Sequence, residues 1–316
     1  MSPAVSQVMR GTLGGLGCAN IAAMRLMQRH QAAVIAALTL LPSCCAVIPN
    51  EPKPALGSIV FSSDRSGRFQ LYTCAEDGAD VRPLSRSEID DTNPRWSPSG
   101  DRLAFVADGT LSLLDPETGT RQSLDVVADP DVPISWSPTG HRLICMSGGQ
   151  LLCVDIGTKR VSKVAPESLH ATWMPGSEQL LATRGQIPFL QVMAGDEFIR
   201  YFLQEGSRTA LIPQLFATWS RADPPRCAFS SSTIRIGSNV LAYDVFMADA
   251  DGKPLKSVFS TDGTDWACDW SPDGTALLTL SEKDDVSDIF VVWVDTGRQV
   301  NLTNDAALEM GASWRP

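Results

Sequence analysis

The sequence predicts an all-β fold, a six-bladed β-propeller of four-stranded blades, over residues 57–316. Three observations lead to this prediction. A Trp-Ser-Pro-x-Gly motif recurs about every 40 residues. Each complete copy is followed by apolar runs of strand length, and the two ends of the region carry complementary parts of one repeat.

The motif is complete at three positions and degenerate or truncated at three more. Complete copies begin at Trp96, Trp136 and Trp270, the others begin at Trp173, Trp219 and Trp314, and the spacings are 40, 37, 46, 51 and 44 residues. Self-similarity at such a period is typical of repeat architectures, in which each repeat forms one structural unit. The six copies therefore predict six blades.

Each repeat has the same internal order. After the Trp96 strand comes a tight turn, in which Pro98 sets φ at the first corner and Gly100 supplies a positive φ that other residues resist. The apolar runs 103–106 and 111–114 are continuous, which favours strands covered on both faces. An Asp/Gly turn and a fourth, more polar strand follow. Four strands per repeat of this length are typical of a propeller blade.

The two ends of the region fit one another. The last repeat stops just after its first strand, at Trp314-Arg315-Pro316, and the region begins with a second-strand sequence, Ser58–Phe61. We expect the N-terminal strands to complete the C-terminal blade and close the ring, because closure removes exposed sheet edges.

The repeats resemble those of the TolB-like propellers. The segment 94–100, Pro-Arg-Trp-Ser-Pro-Ser-Gly, and the segment 301–303, Asn-Leu-Thr, carry the resemblance best. It covers residues 57–316 and implies the six-bladed propeller fold. TolB has a separate α/β domain between its signal and its propeller, whereas here about a dozen residues separate Cys44 from the first predicted strand. We therefore expect a TolB-like propeller without that domain.

Residues 1–43 are interpreted as a signal segment, and Met24 fits as the true start because Arg25 and Arg29 then form a compact basic region. The apolar stretch 31–41 is too short to cross a bilayer as a helix. Leu41-Pro42-Ser43-Cys44 resembles a bacterial lipoprotein cleavage box, which predicts a lipid on Cys44 and a periplasmic or cell-surface lipoprotein. Cleavage after Ala46, giving a secreted soluble protein, and a core helix over 31–41 are the alternatives. Residues 44–56 form a Pro-rich spacer.

Net charge and cysteine pattern narrow the function classes. The chain has 36 acidic and 26 basic residues, and its net charge of −10 argues against nucleic acid as a partner. The eight cysteines form no CxxC pair. We interpret those in apolar runs as buried thiols. Cys145 and Cys153 flank a Gly148-Gly149 turn. A two-residue turn would put Cys145 and Cys153 on opposite faces of the sheet, whereas a longer loop would bring the two thiols together.

Counting back five residues from each repeat Trp predicts which side chains ring the channel mouth. These positions are Asp91, Asp131, Ser168, Gln214, Asp265 and Glu309, four of them acidic. Grouped carboxylates repel one another unless they bind a cation or a basic segment, so Ca²⁺ is a candidate ligand and no other cofactor is expected. Trp266, next to Asp265, is a candidate ligand contact. The alternative is that the acids only shape turns before strands.

These features favour a non-catalytic binding module that takes a protein or peptide, preferably basic, at an acidic channel mouth. We expect a monomer that touches membranes only through its lipid anchor. The sequence has no Gly-x-Ser-x-Gly elbow, no His-rich metal set and no phosphate-binding Gly loop. Two alternatives stay open: a carboxylate-based propeller enzyme acting on carbohydrate or lactone, and a structural envelope protein.

Overall fold

The structure, a computed structural model, describes residues 58–164, 168–177, 180–184, 189–194, 197–202, 214–234, 241–249 and 256–316. The regular secondary structure within these ranges consists of 24 β-strands. No helix in them has the length and apolar character needed to cross a membrane. Residues 1–57, which include the predicted signal segment, Cys44 and nearly all of the spacer, lie outside the described residues.

Five antiparallel sheets have four strands each, and each is named here after the Trp that ends its first strand. The Trp314 sheet has the order β24 (Glu309–Trp314), β1 (Ile59–Ser63), β2 (Gln70–Cys74) and β3 (Arg82–Pro83). The Trp96 sheet contains β4 (Asp91–Trp96), β5 (Leu103–Ala107), β6 (Thr110–Leu114) and β7 (Arg121–Val127).

The other three four-stranded sheets repeat this order. The Trp136 sheet contains β8 (Ser135–Trp136), β9 (Arg142–Ser147), β10 (Gln150–Asp155) and β11 (Val161–Val164). The Trp219 sheet contains β16 (Gln214–Trp219), β17 (Arg226–Ile234), β18 (Leu241–Asp249) and β19 (Lys256–Phe259). The Trp270 sheet contains β20 (Thr264–Trp270), β21 (Ala276–Lys283), β22 (Val286–Trp293) and β23 (Gln299–Asn301).

The predicted count of six four-stranded blades is corrected to five in the described part of the chain. The Trp173 repeat instead forms two hairpins, each a two-stranded sheet. They are β12 (Ser168–Trp173) with β13 (Leu180–Arg184), and β14 (Phe189–Ala194) with β15 (Glu197–Phe202). The turn between β12 and β13 also differs from the complete repeats, because Met174 stands where they have Ser and the turn lacks the hydroxyl that binds the backbone of the next strand.

The complete turns show what that Ser does. In the Trp96 repeat the Ser97 amide donates to the carbonyl of Arg102, and the Arg102 amide donates to the Ser97 hydroxyl. Gly100 has the predicted positive φ, 68°, and its amide donates to the Ser97 carbonyl. In the Trp173 turn the Ser177 amide donates to the Met174 carbonyl over 3.4 Å, which is a weaker arrangement.

The two ends of the propeller region meet in one sheet. Strand β24 pairs with β1 in antiparallel register, with Trp314 opposite Ile59 and Glu309 opposite Ser63. The Arg315 amide also donates to the carbonyl of Ser58. Closure of the ring as a whole stays a prediction, because the Trp173 repeat does not form a four-stranded sheet.

The hydrophobic core lies between neighbouring sheets. Val60 and Leu71 of the Trp314 sheet pack with Leu103 and Phe105 of the Trp96 sheet, and all four side chains are excluded from solvent. Every residue of β1 and β5 is buried, as expected for strands covered on both faces. The repeat Trp side chains are core residues as predicted, although Trp219 is only half-buried.

A hydrogen bond between first strands joins neighbouring sheets. The side chain just before the Trp of one sheet accepts from the backbone amide of the Trp in the next. Ser313 accepts from Trp96 over 3.0 Å, Asp269 from Trp314 over 3.0 Å, and Ser135 from Trp173 over 3.2 Å. These contacts, called here the latch hydrogen bonds, hold the first strands of neighbouring sheets at one relative height.

Replacing Ser313 with Ala is expected to lower the free energy of unfolding by about 1–3 kcal/mol, because the buried Trp96 amide then loses its acceptor. Urea unfolding of the two proteins measures the difference. Ser66→Ala, at an exposed turn position, is the matched control and should change stability little. An equal effect of both substitutions would contradict the latch.

Candidate channel-mouth site

Four of the predicted site residues lie at or near the start of a first strand, at one end of the sheets. Asp91 and Glu309 begin β4 and β24, and Asp265 is the second residue of β20. Asp131 lies in the loop before β8. Their side chains differ in surroundings, and this difference decides which of them a ligand can reach.

Asp91 is fully buried and paired inside its own sheet. Its carboxylate accepts a hydrogen bond of 2.9 Å from the guanidinium of Arg121, which also lies 4.8 Å from the centre of the Phe105 ring. The Arg121 guanidinium compensates the charge of Asp91, because burying a carboxylate without a partner costs much free energy of desolvation. Asp91 therefore supports the blade rather than the rim of the mouth.

Glu309 is held beside the junction of the two chain ends. One carboxylate oxygen, Oε1, accepts from Ser63 Oγ at 2.9 Å and from Arg65 at 2.8 Å. Oε2 is buried and has no hydrogen-bond partner among the described residues. Burial raises the pKa of Glu309 to about 7, and the Arg65 and Ser63 contacts oppose this shift.

Asp265 is fully buried and bonded within the Trp270 sheet. It accepts from the Thr261 amide at 2.7 Å and from the Thr261 hydroxyl at 2.8 Å. Burial raises the pKa of Asp265, and the nearby Asp244 carboxylate adds to this effect. Like Asp91, Asp265 uses both carboxylate oxygens in contacts within the protein, whereas Glu309 uses only Oε1.

Asp131 is the predicted mouth acid that is half-buried. Burial raises its pKa to about 6, and repulsion from Asp129 and Glu282 contributes to the rise. Asp129 and Glu282 are also half-buried. Asp129 precedes β8, whereas Glu282 is in β21, so carboxylates from the Trp136 and Trp270 sheets share one negative region. We call these three residues the rim acids.

Trp266 belongs to a cluster of half-buried aromatic rings. Its indole lies 4.9 Å from the Phe216 ring in an edge-on arrangement, and 4.9 Å from the Tyr243 ring in a stacked arrangement. All three side chains are half-buried. Such offset and edge-on contacts stabilise the rings against one another. We call Phe216, Tyr243 and Trp266 the aromatic seat.

A bulge in the first strands positions Phe216. The pairing of β16 with β17 shifts at this residue, which has a φ of 53°. Asn93 in β4 and Gly311 in β24 occupy the same place, with φ of 54° and 63°. Asn and Gly tolerate this conformation, whereas a bulky side chain there is uncommon. Each of these bulge residues lies two positions after a predicted mouth residue, and this spacing is the sequence signal that would have identified Phe216.

Arg95 lies deeper between the first strands. Its guanidinium donates to the carbonyls of Ile134 at 3.2 Å and Cys268 at 2.7 Å, and it lies 3.3 Å from Asp269. Because these groups belong to the Trp96, Trp136 and Trp270 repeats, one side chain bridges three parts of the propeller. Its charge is used within the fold.

The site contains little that is suited to acid–base or metal chemistry. His170 is 2% exposed, and burial lowers its pKa to about 3, so the ring is neutral at pH 7. Among the described residues, no group of three or more His, Cys, Asp or Glu side chains is arranged to hold a metal ion. The calcium and binding roles of the predicted acids stay predictions.

Cys145 and Cys153 are arranged as expected for a two-residue turn at 148–149, which puts them on opposite faces of the sheet. Cys145 lies opposite Leu152 and Cys153 lies opposite Ile144, so the two residues point to opposite faces of their sheet. Neither of them forms a disulfide bond within the described part of the chain. Cys44, the predicted lipid attachment point, lies outside the described residues.

Comparison with known proteins supports the propeller fold and the TolB-like character. A TolB homolog of Chlorobium luteolum is 47% identical over 49 residues, which are 16% of this chain and 11% of that protein. The TolB structure of Acinetobacter baumannii has a TM-score of 0.64 at 18% identity, over 82% of this chain and 66% of that one. In both cases the match spans less than two thirds of the relative. No protein-family profile matches the chain.

Other solved propellers are similar in shape. A nidogen/laminin complex has a TM-score of 0.57 at 8% identity, over 82% of this chain and 98% of that one. An oligogalacturonate lyase of Vibrio parahaemolyticus has a TM-score of 0.50 at 13% identity, over 77% of this chain and 73% of that one. At such identities the likeness shows the fold alone: an all-β propeller with four-stranded blades.

Glu309 is expected to make stability depend on pH. Because its pKa in the folded protein, about 7, lies above the ordinary 4.5, the folded state binds the proton more tightly. This stabilisation is complete below about pH 4.5 and is lost as the pH rises to about 7. The free energy of unfolding of the wild type, relative to Glu309→Gln, should therefore fall by about 1–3 kcal/mol across this window.

Urea unfolding at pH 4.5, 6 and 7.5 measures the two curves. Glu117→Gln, at an exposed turn position, is the control and should follow the wild type at every pH. Parallel curves for wild type and Glu309→Gln would show that this carboxyl does not titrate in the window.

Proposed function

We propose that this protein is a non-catalytic propeller of the cell envelope that binds a protein or peptide segment at its channel mouth. The observation that carries the proposal is the composition of the mouth, where Glu282, one of the half-buried rim acids, lies in the same sheet as Trp266 of the aromatic seat. Tyr, Trp and Phe are enriched at protein-binding surfaces. The TolB-like fold supports the same conclusion.

The rim acids favour a basic partner. Burial is the main cause of the raised pKa of Asp131, and repulsion from Asp129 and Glu282 adds to it. A cationic segment placed beside Asp131 would relieve the part that is due to repulsion. The chain as a whole has a net charge of −10, which attracts a basic segment over a longer range.

Export and anchoring complete the proposal. A lipid on Cys44 would hold the propeller at the periplasmic or cell-surface side of a membrane, and cleavage after Ala46 would release a soluble protein. The Pro-rich spacer would separate the propeller from the bilayer. We expect the protein to act as a monomer.

We also propose that β12–β15 together take the place of a sixth, irregular blade. Ala171, Trp173 and Leu180 pack against Ile144 and Leu151 of the Trp136 sheet. On the other side, Leu181 packs against the Ala217 and Phe229 region of the Trp219 sheet. Both contacts support a place between these two sheets, and such a blade would complete the ring.

A carbohydrate-acting enzyme is the second candidate, because an oligogalacturonate lyase is among the similar structures. The site supports it less well. Asp91, Asp265 and Glu309 have intramolecular partners, and His170 is buried and neutral. A pair of carboxylates poised for acid and base roles is therefore not formed by the predicted site residues.

Site-specific photocrosslinking tests partner binding in the cells that produce the protein. A benzophenone amino acid at Asp284, in the exposed β21–β22 turn near Glu282, should give a discrete adduct with one protein. The same group at Thr296, in an exposed turn at the opposite end of the same sheet, is the matched control. The Asp284 adduct should decrease when Asp131→Asn and Glu282→Gln are combined, because the rim loses its charge.

Adducts of equal yield at both positions, or an Asp284 adduct indifferent to the rim substitutions, would contradict the proposed mouth. Incubation with oligogalacturonate tests the second candidate: unsaturated uronate products would identify a lyase. A purely structural envelope protein would give neither result.

Calcium at the mouth is a separate proposal, in which Asp131 is the candidate protein ligand. If Asp131 binds Ca²⁺, millimolar CaCl₂ should raise the melting temperature of the wild type, because a ligand of the folded state stabilises it. The rise should disappear in Asp131→Asn and persist in Asp91→Asn, where the substituted carboxylate faces Arg121. An unchanged melting temperature in the wild type would exclude a bound calcium ion.

A further inference from the structure

We propose that the partner lies extended across the mouth end of the Trp96 sheet, with apolar side chains on Ile89 and Val127 and a basic one at Asp108. The inference rests on the proposed function and adds the residue pattern by which the partner is recognised. Four features carry it: the exposure of Ile89 and Val127, the groove in which they lie, the backbone contacts that hold them, and the charges beside them.

Ile89 and Val127 are apolar side chains that the fold leaves in solvent. Among the described residues, three large apolar side chains are exposed: Ile89 at 41%, Val127 at 66% and Val161 at 43%. A single exposed apolar residue is ordinary, whereas neighbouring ones form a surface that a partner can cover. Ile89 and Val127 lie at the mouth end of one sheet, since Ile89 closely precedes β4 and Val127 ends β7.

Val127 faces the groove between the Trp314 and Trp96 sheets. It lies opposite Thr110 in the pairing of β6 with β7, and residues opposite each other point to the same face. Thr110 and Leu114 are on one face of β6, because side chains alternate along a strand. Leu114 belongs to the core cluster that also contains Val60 of the Trp314 sheet. Val127 is therefore an exposed continuation of this core.

Ile89 lies at the same groove, where the connection from β3 reaches β4. Its carbonyl accepts a hydrogen bond of 3.0 Å from Gln70 Nε2 in the Trp314 sheet. The carbonyl of the next residue, Asp90, accepts from the Asp108 amide of the Trp96 sheet over 2.8 Å. The backbone at Ile89 is thus bound to the mouth ends of both sheets.

The Asp108-Gly109 turn separates the two apolar residues and sets their spacing. On one side it binds Asp90, and on the other the Gly109 carbonyl accepts from the Ala128 amide over 2.8 Å. Since neighbouring hydrogen-bonded chains lie about 4.8 Å apart, Ile89 and Val127 are about 10–15 Å from each other. Residues i and i+4 of an extended chain are about 13 Å apart and point to the same side. Such a segment can cover both residues, with residue i+2 above the turn.

Backbone contacts keep Ile89 at the surface. The Ser87 amide donates to Gln70 Oε1 at 2.7 Å, and the Phe69 amide donates to the Asp90 carboxylate at 3.1 Å. Because the residues on both sides of Ile89 are tied to the Trp314 sheet, its side chain does not turn into the core when it is uncovered. A partner meets a preformed surface, which lowers the cost of binding.

The charges beside the groove favour a basic residue in the segment. Glu88 adjoins Ile89, and Asp108 lies in the turn. Both side chains are exposed, and neither carboxylate has a hydrogen bond or an ion pair within the described part of the chain. Of the two exposed arginines nearby, Arg68 donates to the Glu88 carbonyl, and Arg86 is three residues from Ile89 in the sequence. A lysine or arginine at i+2 would lie beside the Asp108 carboxylate.

The test uses the purified full-length chain with ¹³C-labelled Ile and Val methyl groups and three probe peptides. The first is acetyl-Gly-Leu-Ser-Lys-Ser-Leu-Gly-amide, with Leu at i and i+4 and Lys at i+2. The second has Ser in place of both Leu, and the third has Glu in place of Lys. Methyl NMR follows Ile89 and Val127, assigned through Ile89→Ser and Val127→Ser. Val161, an exposed residue of β11 in the Trp136 sheet, is the internal control.

We expect the first peptide to shift the Ile89 and Val127 resonances and to leave Val161 unmoved. The serine peptide should bind at least about 4-fold more weakly, the factor that one buried methylene supplies. The glutamate peptide should bind about 2- to 10-fold more weakly, because an exposed ion pair is lost and a repulsion replaces it. Asp108→Asn should remove most of the preference for Lys over Glu, and Asn tolerates the φ of 44° at this position.

Equal Kd values for the first peptide and either of the others, or a Val161 shift as large as that of Val127, would overturn the inference. Photocrosslinking at Asp284 separates this result from failure of the proposed function. An Asp284 adduct that persists when Ile89→Ser and Val127→Ser are combined means that the partner binds elsewhere on the mouth, which also overturns the inference. Peptide binding at Ile89 and Val127 without an Asp284 adduct would support the groove and refute a partner at the channel mouth.

Discussion

The latch hydrogen bond between first strands is the contact on which the rest of the propeller depends. The hydrophobic effect between two sheets does not by itself select one relative height, because it has no direction. The contact from Ser313 to the Trp96 amide, and its equivalents at Asp269 and Ser135, fixes their relative height. Trp136 and Trp270 add a second link, since their indole N–H groups donate to carbonyls of the preceding repeat at 3.0 and 3.2 Å.

The same first strands carry a bulge that decides what the mouth presents. With Asn93 or Gly311 at this place, the bulge brings backbone close to a neighbour: a Cβ at Gly311 would lie 3.0 Å from the side-chain oxygen of Asn93. With Phe216, it places a ring beside Trp266. The same bulge thus allows close backbone packing in the Trp96 and Trp314 repeats and places an aromatic ring at the surface in the Trp219 repeat.

The acids at the mouth fall into two groups with different consequences. Asp91, Asp265 and Glu309 are buried, and each of them bonds to a partner within the fold, which leaves little charge for a ligand. Asp131 with Asp129 and Glu282 forms the half-buried group, and its mutual repulsion is the part of the electrostatics that a cation can relieve. The likeness to TolB and to other propellers concerns the fold, so the case for binding depends on this second group and on the aromatic seat.

The sequence by itself determined the repeat, its four-strand order, the turn glycines and the meeting of the two chain ends, because each follows from local residue types at a fixed period. It also located the first-strand starts at Asp91, Asp265 and Glu309. Only the tertiary structure decided that these carboxylates are buried and that Asp131 is half-buried. The arginines that pair with Glu309 and Asp91, which are Arg65 and Arg121, are far from them in the sequence. The tertiary structure also decided the number of four-stranded sheets and the contact of Phe216, Tyr243 and Trp266, because packing joins residues that no local sequence pattern relates.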